Sequence, residues 1–315
     1  MSAFFIVHII RGKHMEASKH WTNYWDQGHR TSFGANLENN YQGQLRKEWQ
    51  QIFSKLIAGQ CVLDLCTGNA TLIRLAEDSI DNFNQIRFIG VDYANLQKEH
   101  TIASLDNVEV YGNTNIEQLP IGDSSIDLVI SNFGIEYSNF TESLSEVSRV
   151  LRSGGQFEFI CHHEDSLFIK DSNSCLVMLN RLHQKGGVLF TLESMLTALK
   201  EELFSDAEVY RNRLNEQLSE LVKLDKKSLE DTDFLSFLKF VMSNKAGDKL
   251  TSLKEFKKES ENYQSRLNAM VNAALTKNTL KKITFLCQKN NIKINKINEV
   301  CGSDGVCSYH VSGQK

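Results

Sequence analysis

Proline is almost absent. Pro120 is the only one in 315 residues, where average usage of about 5% would give roughly 16. Collagen-like and proline-rich linker readings are thereby excluded, and very little in the chain interrupts a helix. A dominant charge is missing too. Lys+Arg number 35 against Asp+Glu 39, for a net charge of −4, so the basic stripe that a broad nucleic-acid surface needs is not there. Long apolar runs are also lacking. The longest, Phe4 to Ile10, is broken by His8 and falls far short of the ~20 residues that span a bilayer. The seven cysteines are odd in number, and no two have CxxC spacing, so neither a zinc nor a redox site is expected and no metal is assigned. Cys61, Cys66, Cys161 and Cys307 sit in or beside apolar runs, where free cysteine packs as a small hydrophobe. That usage suits a reducing cytoplasm, the expected location.

What is there is a foldable chain. Its hydrophobic content of 41% excludes intrinsic disorder, and its length suits one large domain or a domain plus a subdomain. At the start, apolar Ser2–Ile10 precedes basic Arg11-Gly12-Lys13, the reverse of signal-peptide order. Residues 1–15 are therefore read as an extension of a soluble protein, upstream of a second start at Met15. A short strand or docking arm is the alternative.

Residues 16–58 read as helical. Trp21, Tyr24 and Trp25 share one helical face, and Leu45 to Ile57 is a second amphipathic stretch stopped by Gly59. From residue 59 the texture changes to short apolar runs separated by helical patterns. The runs are Cys61–Cys66, Ile86–Asp92, Val108–Tyr111, Ile126–Ser131 and Phe157–Cys161, with a helix over Leu144–Leu151 closed by Ser153-Gly154-Gly155. Such alternation predicts an α/β domain with a parallel sheet of right-handed βαβ units over 59–164. Residues 165–280 carry only helix-compatible stripes, such as Leu192, Met195, Leu196, Leu199 and Leu203, or Leu214, Leu218 and Leu221. Lys226-Lys227 and Lys257-Lys258 are interleaved with acids, the pattern of a solvated face. Strand texture returns within 281–315, where Ile292–Val300 and Val306–Val311 flank the turn Gly302–Gly305 as an antiparallel pair. A helical insertion thus lies between strands five and six.

The first run ends Asp64-Leu65-Cys66-Thr67-Gly68-Asn69-Ala70. A glycine at that strand-to-helix turn lets backbone approach a ligand closely, where open α/β sheets bind their ligands. The second run ends in Asp92, a carboxylate placed to accept from ribose hydroxyls or to cap a helix. Tyr93 follows and could cover an adenine face. Loop and acid together leave a dinucleotide and an S-adenosylmethionine (SAM) site both open.

The next segments are Asn113-Thr114-Asn115-Ile116-Glu117-Gln118-Leu119-Pro120, then Ile121 to Asn132 (IGDSSIDLVISN), and Arg149-Val150-Leu151-Arg152-Ser153-Gly154-Gly155. Here the chain closely resembles the class I SAM-dependent methyltransferases of the small-molecule, type 11/25-like group, whose pattern is "GDAxxLPFxDxSFDxV" followed by "RVLRPGG". The resemblance covers residues 58–162. It implies a doubly wound, seven-stranded sheet whose last strand is antiparallel, and SAM as cofactor, with S-adenosylhomocysteine (SAH) as product. Asp64, Cys66, Thr67, Gly68 and Asn69 would lie beside the methionine and ribose, Asp92 on the ribose diol, and Tyr93 near the ring. Asn115 stands at the position of the family's adenine-binding Asp, and Ile116 would offer its backbone N–H. Ser131 and Asn132 would border the methyl-transfer pocket. An N-terminal helix covering SAM is usual in the group, which makes Trp25 the expected lid contact. Cys66 and Ala70 replace glycines, Asn115 replaces Asp, and Ser153 replaces proline.

Methyl transfer from a sulfonium is an in-line displacement that positioning alone can accelerate, and a base is needed only for a protonated acceptor. His162 and His163, at the tip of the fifth strand, and Tyr137 with Glu136, after the fourth, are the candidate bases. The expected partner is a small-molecule acceptor methylated on O, N or S, with no membrane span and no broad nucleic-acid surface. The insertion would serve as a cap over the acceptor or as a homodimer surface. A SAM-binding protein without catalysis, acting through that insertion, is the alternative.

Overall fold

The computed structural model describes residues 20–32, 40–96, 105–243, 247–302 and 305–315. The expected extension over 1–15, and Phe33 and Gly34 of the N-terminal segment, lie outside the described residues. By internal contacts the chain divides into a sheet unit, residues 1–167 with 273–315, and a helical unit, residues 168–272.

The sheet unit holds strands β1 (Cys61–Leu65), β2 (Arg87–Val91), β3 (Val108–Tyr111), β4 (Ile126–Asn132), β5 (Leu151–His162), β6 (Lys293–Gly302) and β7 (Gly305–Gln314). They form one sheet in the order β3-β2-β1-β4-β5-β7-β6. β1 pairs in parallel with both β2 and β4, so the winding reverses between β1 and β4, and open α/β sheets bind their ligands at the carboxyl ends of such a reversal. β7 runs antiparallel between β5 and β6. The alternation of side chains along each strand sorts them onto two faces. Leu63, Leu65, Val129, Phe157 and Phe159 point to one core. Val62, Leu128, Ile130 and Ile160 point to the other.

Each face is covered by helices whose apolar stripes match it. α1 (Gly43–Phe53) and α2 (Thr71–Glu77) bring Trp49, Phe53, Leu72 and Ile73 to the second face. α3 (Phe140–Val150) brings Leu144 and Val147 to the first. Asn139 caps α3 by accepting from Thr141 N–H at 3.0 Å.

The fifth strand is longer than expected. It begins at Leu151, so the supposed loop Ser153-Gly154-Gly155 lies within it. The pairing with β4 slips between Ile126/Leu151 and Leu128/Gln156, and this irregularity absorbs the glycines, with Gly154 at φ +79°. Glycine content marked a stop where the chain makes a bulge.

In the helical unit, α4 (Leu167–His183), α5 (Val188–Lys200), α6 (Phe204–Glu230), α7 (Phe234–Val241) and α8 (Lys249–Ala273) enclose their own core of Leu179, Leu182, Leu192, Leu214, Leu229 and Phe234. Leu199 and Leu203, expected in the apolar stripe, are exposed. No proline is available to break these helices, yet α6 kinks at Asp225 (φ −163°, ψ 95°). Its carboxylate accepts from Ser228 N–H at 3.0 Å and thereby caps the second half of the helix. The expected boundary at residue 280 falls inside α9 (Lys277–Lys289), whose Leu280, Ile283, Leu286 and Cys287 belong to the sheet unit's core. A helical pattern does not say which core the helix serves.

Pro120 is fixed in a clamped loop. The Arg149 guanidinium donates to the carbonyls of Leu119 (3.0 Å) and Ile121 (2.7 Å), on either side of it, and pairs with Glu146 and Asp123.

Candidate cofactor and active site

The turn after β1 is built from left-handed residues: Cys66 (φ 59°), Gly68 (φ 53°) and Ala70 (φ 57°). Asp64 lies buried beneath it and accepts from Thr67 Oγ1 at 2.6 Å. Burial pushes the Asp64 carboxyl up to about 7, against the lowering effect of that hydrogen bond. Gly68 N–H donates to Asp92 Oδ2 at 2.8 Å, and Ala94 N–H to Oδ1 at 2.8 Å. The glycine turn and the acidic strand tip are thus one unit. Each Asp92 oxygen keeps a further lone pair for a ligand hydroxyl. Burial raises Asp92 to about 6, the two backbone donors opposing it.

Gly68 was expected to admit a ligand. In the structure its near neighbour is a side chain. A Cβ on Gly68 would stand 2.7 Å from Trp25 Cζ2, closer than real contacts allow. Trp25 comes from helical residues 20–26 and lies with Trp21, Tyr24, Ala94 and Leu96 in one apolar cluster at the ends of β1 and β2. The residue of the β2 tip that joins it is Ala94; Tyr93 is half-buried beside it. Trp21 stacks on Trp25 (centroids 5.9 Å) and meets Tyr137 edge-on at 5.8 Å.

Along the third strand's exit, Thr114 N–H donates to Asp92 O at 2.8 Å. Asn115 is exposed and accepts from Glu117 N–H at 2.9 Å. Ile116 turns its side chain into the core. At the end of β4, Ser131 is fully buried. Its Oγ donates to Leu65 O and accepts from Ile135 N–H, both at 3.0 Å. Asn132 Oδ1 accepts from Trp49 Nε1 at 2.9 Å, which ties α1 to the strand tip. Gly134 packs against Cys66; a Cβ there would lie 2.5 Å from Cys66 Cβ. The Cys66 thiol is raised well above its usual range by burial and by the acids Asp92, Glu136 and Asp64.

The two histidines part company, because consecutive residues at a strand end point to opposite faces. His162, 1% exposed, stacks on Phe133 (4.5 Å), and its Nε2 lies 3.2 Å from the Tyr137 hydroxyl. Burial lowers His162 to about 3, so its ring is neutral at physiological pH. His163 stacks on Tyr309 (4.1 Å), accepts from Asp165 N–H through Nδ1 and faces Glu299. It stands with the hairpin, apart from Tyr137.

Glu136 has a larger place than its position in the sequence suggested. It is 5% exposed, its Oε1 accepts from His162 N–H at 2.9 Å, and burial pushes it up to about 7. Asp26 Oδ1 and Glu136 Oε2 are buried without a hydrogen-bond partner, the condition a ligand carrying donors or positive charge would relieve. Trp49, which was not among the expected site residues, also helps to build this region through its bond to Asn132. Only a side chain's neighbours reveal such roles. Among the described residues, no group of three or more His, Cys, Asp or Glu is arranged to hold a metal, and no helix is long and apolar enough to cross a membrane.

The chain is similar in part to known proteins. Residues 63–159 match the family described as "Methyltransferase domain". The malonyl-[acyl-carrier protein] O-methyltransferase of Hahella chejuensis is 31% identical over 99 residues, 31% of this chain and 34% of that protein. The enzyme of the same name from Buchnera aphidicola is 27% identical over 107 residues, 34% of this chain and 42% of that one. This chain therefore spans well under half the length of these curated relatives. A SAM-dependent methyltransferase from Aquifex aeolicus aligns structurally over 86% of this chain and 89% of that one, with 11% identity and a TM-score of 0.42.

Proposed function

We propose, from the match of residues 63–159 to a methyltransferase domain, that the protein is a class I, small-molecule type SAM-dependent methyltransferase and binds SAM at the carboxyl ends of β1, β2 and β4. It transfers the methyl group to a small-molecule acceptor. The observation that carries this reading is the bond from Gly68 N–H to Asp92 Oδ2, which locks the glycine turn to a buried acid at the switch point of the sheet. Asp92 would hold the ribose hydroxyls, and the Ile116 backbone would meet the adenine. Asp26 and Glu136, each with an unpartnered oxygen, suit the positive charge and donors of this cofactor. When bound, SAM supplies an electrophilic methyl on a sulfonium.

The residues around the methyl-transfer position do the rest. Trp21, Trp25 and Tyr137 form an aromatic wall that keeps water out and suits a cation. Where His162 carries its proton on Nε2, the ring donates to the Tyr137 oxygen, and the phenolic hydrogen is left to meet an acceptor oxygen. A histidine held near 3 is a weak base. Such a site serves best an acceptor already ionised at neutral pH, and a carboxylate oxygen fits that need. The two curated relatives are named as O-methyltransferases, which supports oxygen ahead of nitrogen or sulfur.

Calorimetry with SAM and SAH, followed by a methyl-release assay over carboxylic-acid acceptors, tests the proposal. Micromolar binding with turnover is expected. Failure to bind either ligand refutes it, and binding without turnover on any acceptor favours the non-catalytic alternative.

A further inference from the structure

The turn that carries Gly68 has a second face. Its backbone meets Asp92, while its side chains reach the N-terminal segment. Asn69 is buried, and its Nδ2 donates to Trp25 O at 3.0 Å and to His29 O at 2.8 Å. Thr71 Oγ1 donates to Arg30 O. Within the segment, the Tyr24 hydroxyl donates to Thr31 O at 2.7 Å. From the β2 side, Asn95 N–H donates to Thr22 Oγ1 at 3.1 Å. The ring of Trp25 fills the space a Cβ on Gly68 would need.

A primary amide has two N–H donors, and Asn69 directs both at main-chain carbonyls of residues 25–29. The family resemblance alone would place this side chain on the cofactor. We propose instead that Asn69 is a positioning residue: it clasps residues 25–30 to the cofactor turn and thereby sets Trp25, and Trp21 stacked on it, above the cofactor edge. The effect on methyl transfer rests on the SAM reading of the site; the clasp itself does not.

The chemistry of the amide separates the two roles. Alanine at 69 removes two hydrogen bonds. Aspartate, nearly the same shape, removes the donors and also sets carboxylate oxygens against two carbonyl oxygens. A clasp is therefore damaged more by Asn69→Asp than by Asn69→Ala. A side chain that accepted from a cationic ligand would show the reverse order, because aspartate accepts more strongly.

Limited trypsin digestion of the full-length protein without ligand reads the clasp directly. Arg30 is exposed and its carbonyl is held by Thr71, so cleavage after Arg30 reports local opening. Two lost hydrogen bonds correspond to roughly tenfold faster cleavage in Asn69→Ala, with Asn69→Asp faster still and cleavage within α6 unchanged. SAH affinity in the same proteins should fall in the same order. Wild-type cleavage rates at Arg30 in Asn69→Asp, or tighter SAH binding by Asn69→Asp than by Asn69→Ala, would overturn the proposal. If neither Asn69 variant folds, Thr71→Val removes only the Arg30 bond and carries the same digestion test. A wild-type protein that binds neither SAM nor SAH would remove the cofactor reading, while the Arg30 cleavage order would still decide the clasp.

Discussion

The sheet unit and the helical unit bury polar groups of different kinds. At the carboxyl ends of the strands the sheet unit buries Asp64, Asp92, Asn132, Glu136 and His162. Among the described residues, the polar groups that the helical unit buries are small hydroxyls: Ser172, Thr191, Ser228, Thr232 and Ser260. Ser172 and Thr232 return their hydrogens to the carbonyls of Phe168 and Leu229 in the preceding turn. A hydroxyl satisfied by its own helix costs little, whereas a buried acid is costly unless something repays it. The first unit carries that cost at the carboxyl ends of its strands, where SAM is proposed to bind. In the second, the buried residues serve packing.

The largest effect expected to sharpen this contrast lies in the helical unit. Phe234 is fully buried in its core. Phe234→Ala should destabilise by about 3–5 kcal/mol through lost transfer energy and the cavity left behind. Urea unfolding measures it. SAH affinity of the folded protein should stay at the wild-type value, since every residue proposed to hold the cofactor belongs to the sheet unit. A large loss of affinity would break the contrast.

Next in size is the pH dependence set by the buried acids. Asp64, Asp92 and Glu136 rise from 3.8, 3.8 and 4.5 to about 7, 6 and 7. The folded state thus holds their protons more tightly than the unfolded chain. Their stabilising contribution is complete below pH 4 and is lost as pH rises through 6 to 7. Glu136 alone accounts for up to roughly 3 kcal/mol of that decline. Glu136→Gln keeps an oxygen for His162 N–H and should flatten the curve between pH 5 and 7 in urea melts. An unchanged slope would mean that Glu136 is ionised in the folded protein across this range.

How much of this was legible in the sequence follows from the range of each interaction. The strands, the glycine turn, Asp92 and the loop around Pro120 are local patterns, and the sheet places them as the spacing implied. The antiparallel end of the sheet was also foreseeable, since Gly302–Gly305 separates two strand-like runs. Contacts between distant segments were not. Nothing near Asn69 says that its amide meets residues 25–29, and nothing near Asn132 says that it receives Trp49. His162-His163 reads as a pair, but strand geometry sends one ring to Tyr137 and the other to Tyr309. The apolar stripe of 192–203 lost its last two members to solvent, because periodicity gives a face and not its partner.

The cofactor edge predicts a smaller and more specific effect. Asp92→Ala should weaken SAH by more than tenfold, about 1.4 kcal/mol or more, with little change in helical content. In the wild type, SAH affinity should weaken as pH falls below about 6, where Asp92 takes up its proton. Titration calorimetry at pH 5 and 8 checks both. Unchanged affinity in the variant would refute the ribose assignment.

The smallest effect completes the comparison from the other side. Lys227 pairs with Asp171 at 3.1 Å on the surface of the helical unit, and both side chains are largely exposed. Water already solvates each charge, and holding two long side chains together costs rotamer entropy. The Lys226-Lys227 step was read as a solvated face, and its ion pairs to Asp171 and Glu230 have that character. Lys227→Ala should therefore leave the urea midpoint and SAH binding within measurement error at 0.15 M salt. A clear loss of SAH binding would mean that this lysine serves the ligand after all. The division between a unit whose charges act and a unit whose charges solvate would then have to be redrawn.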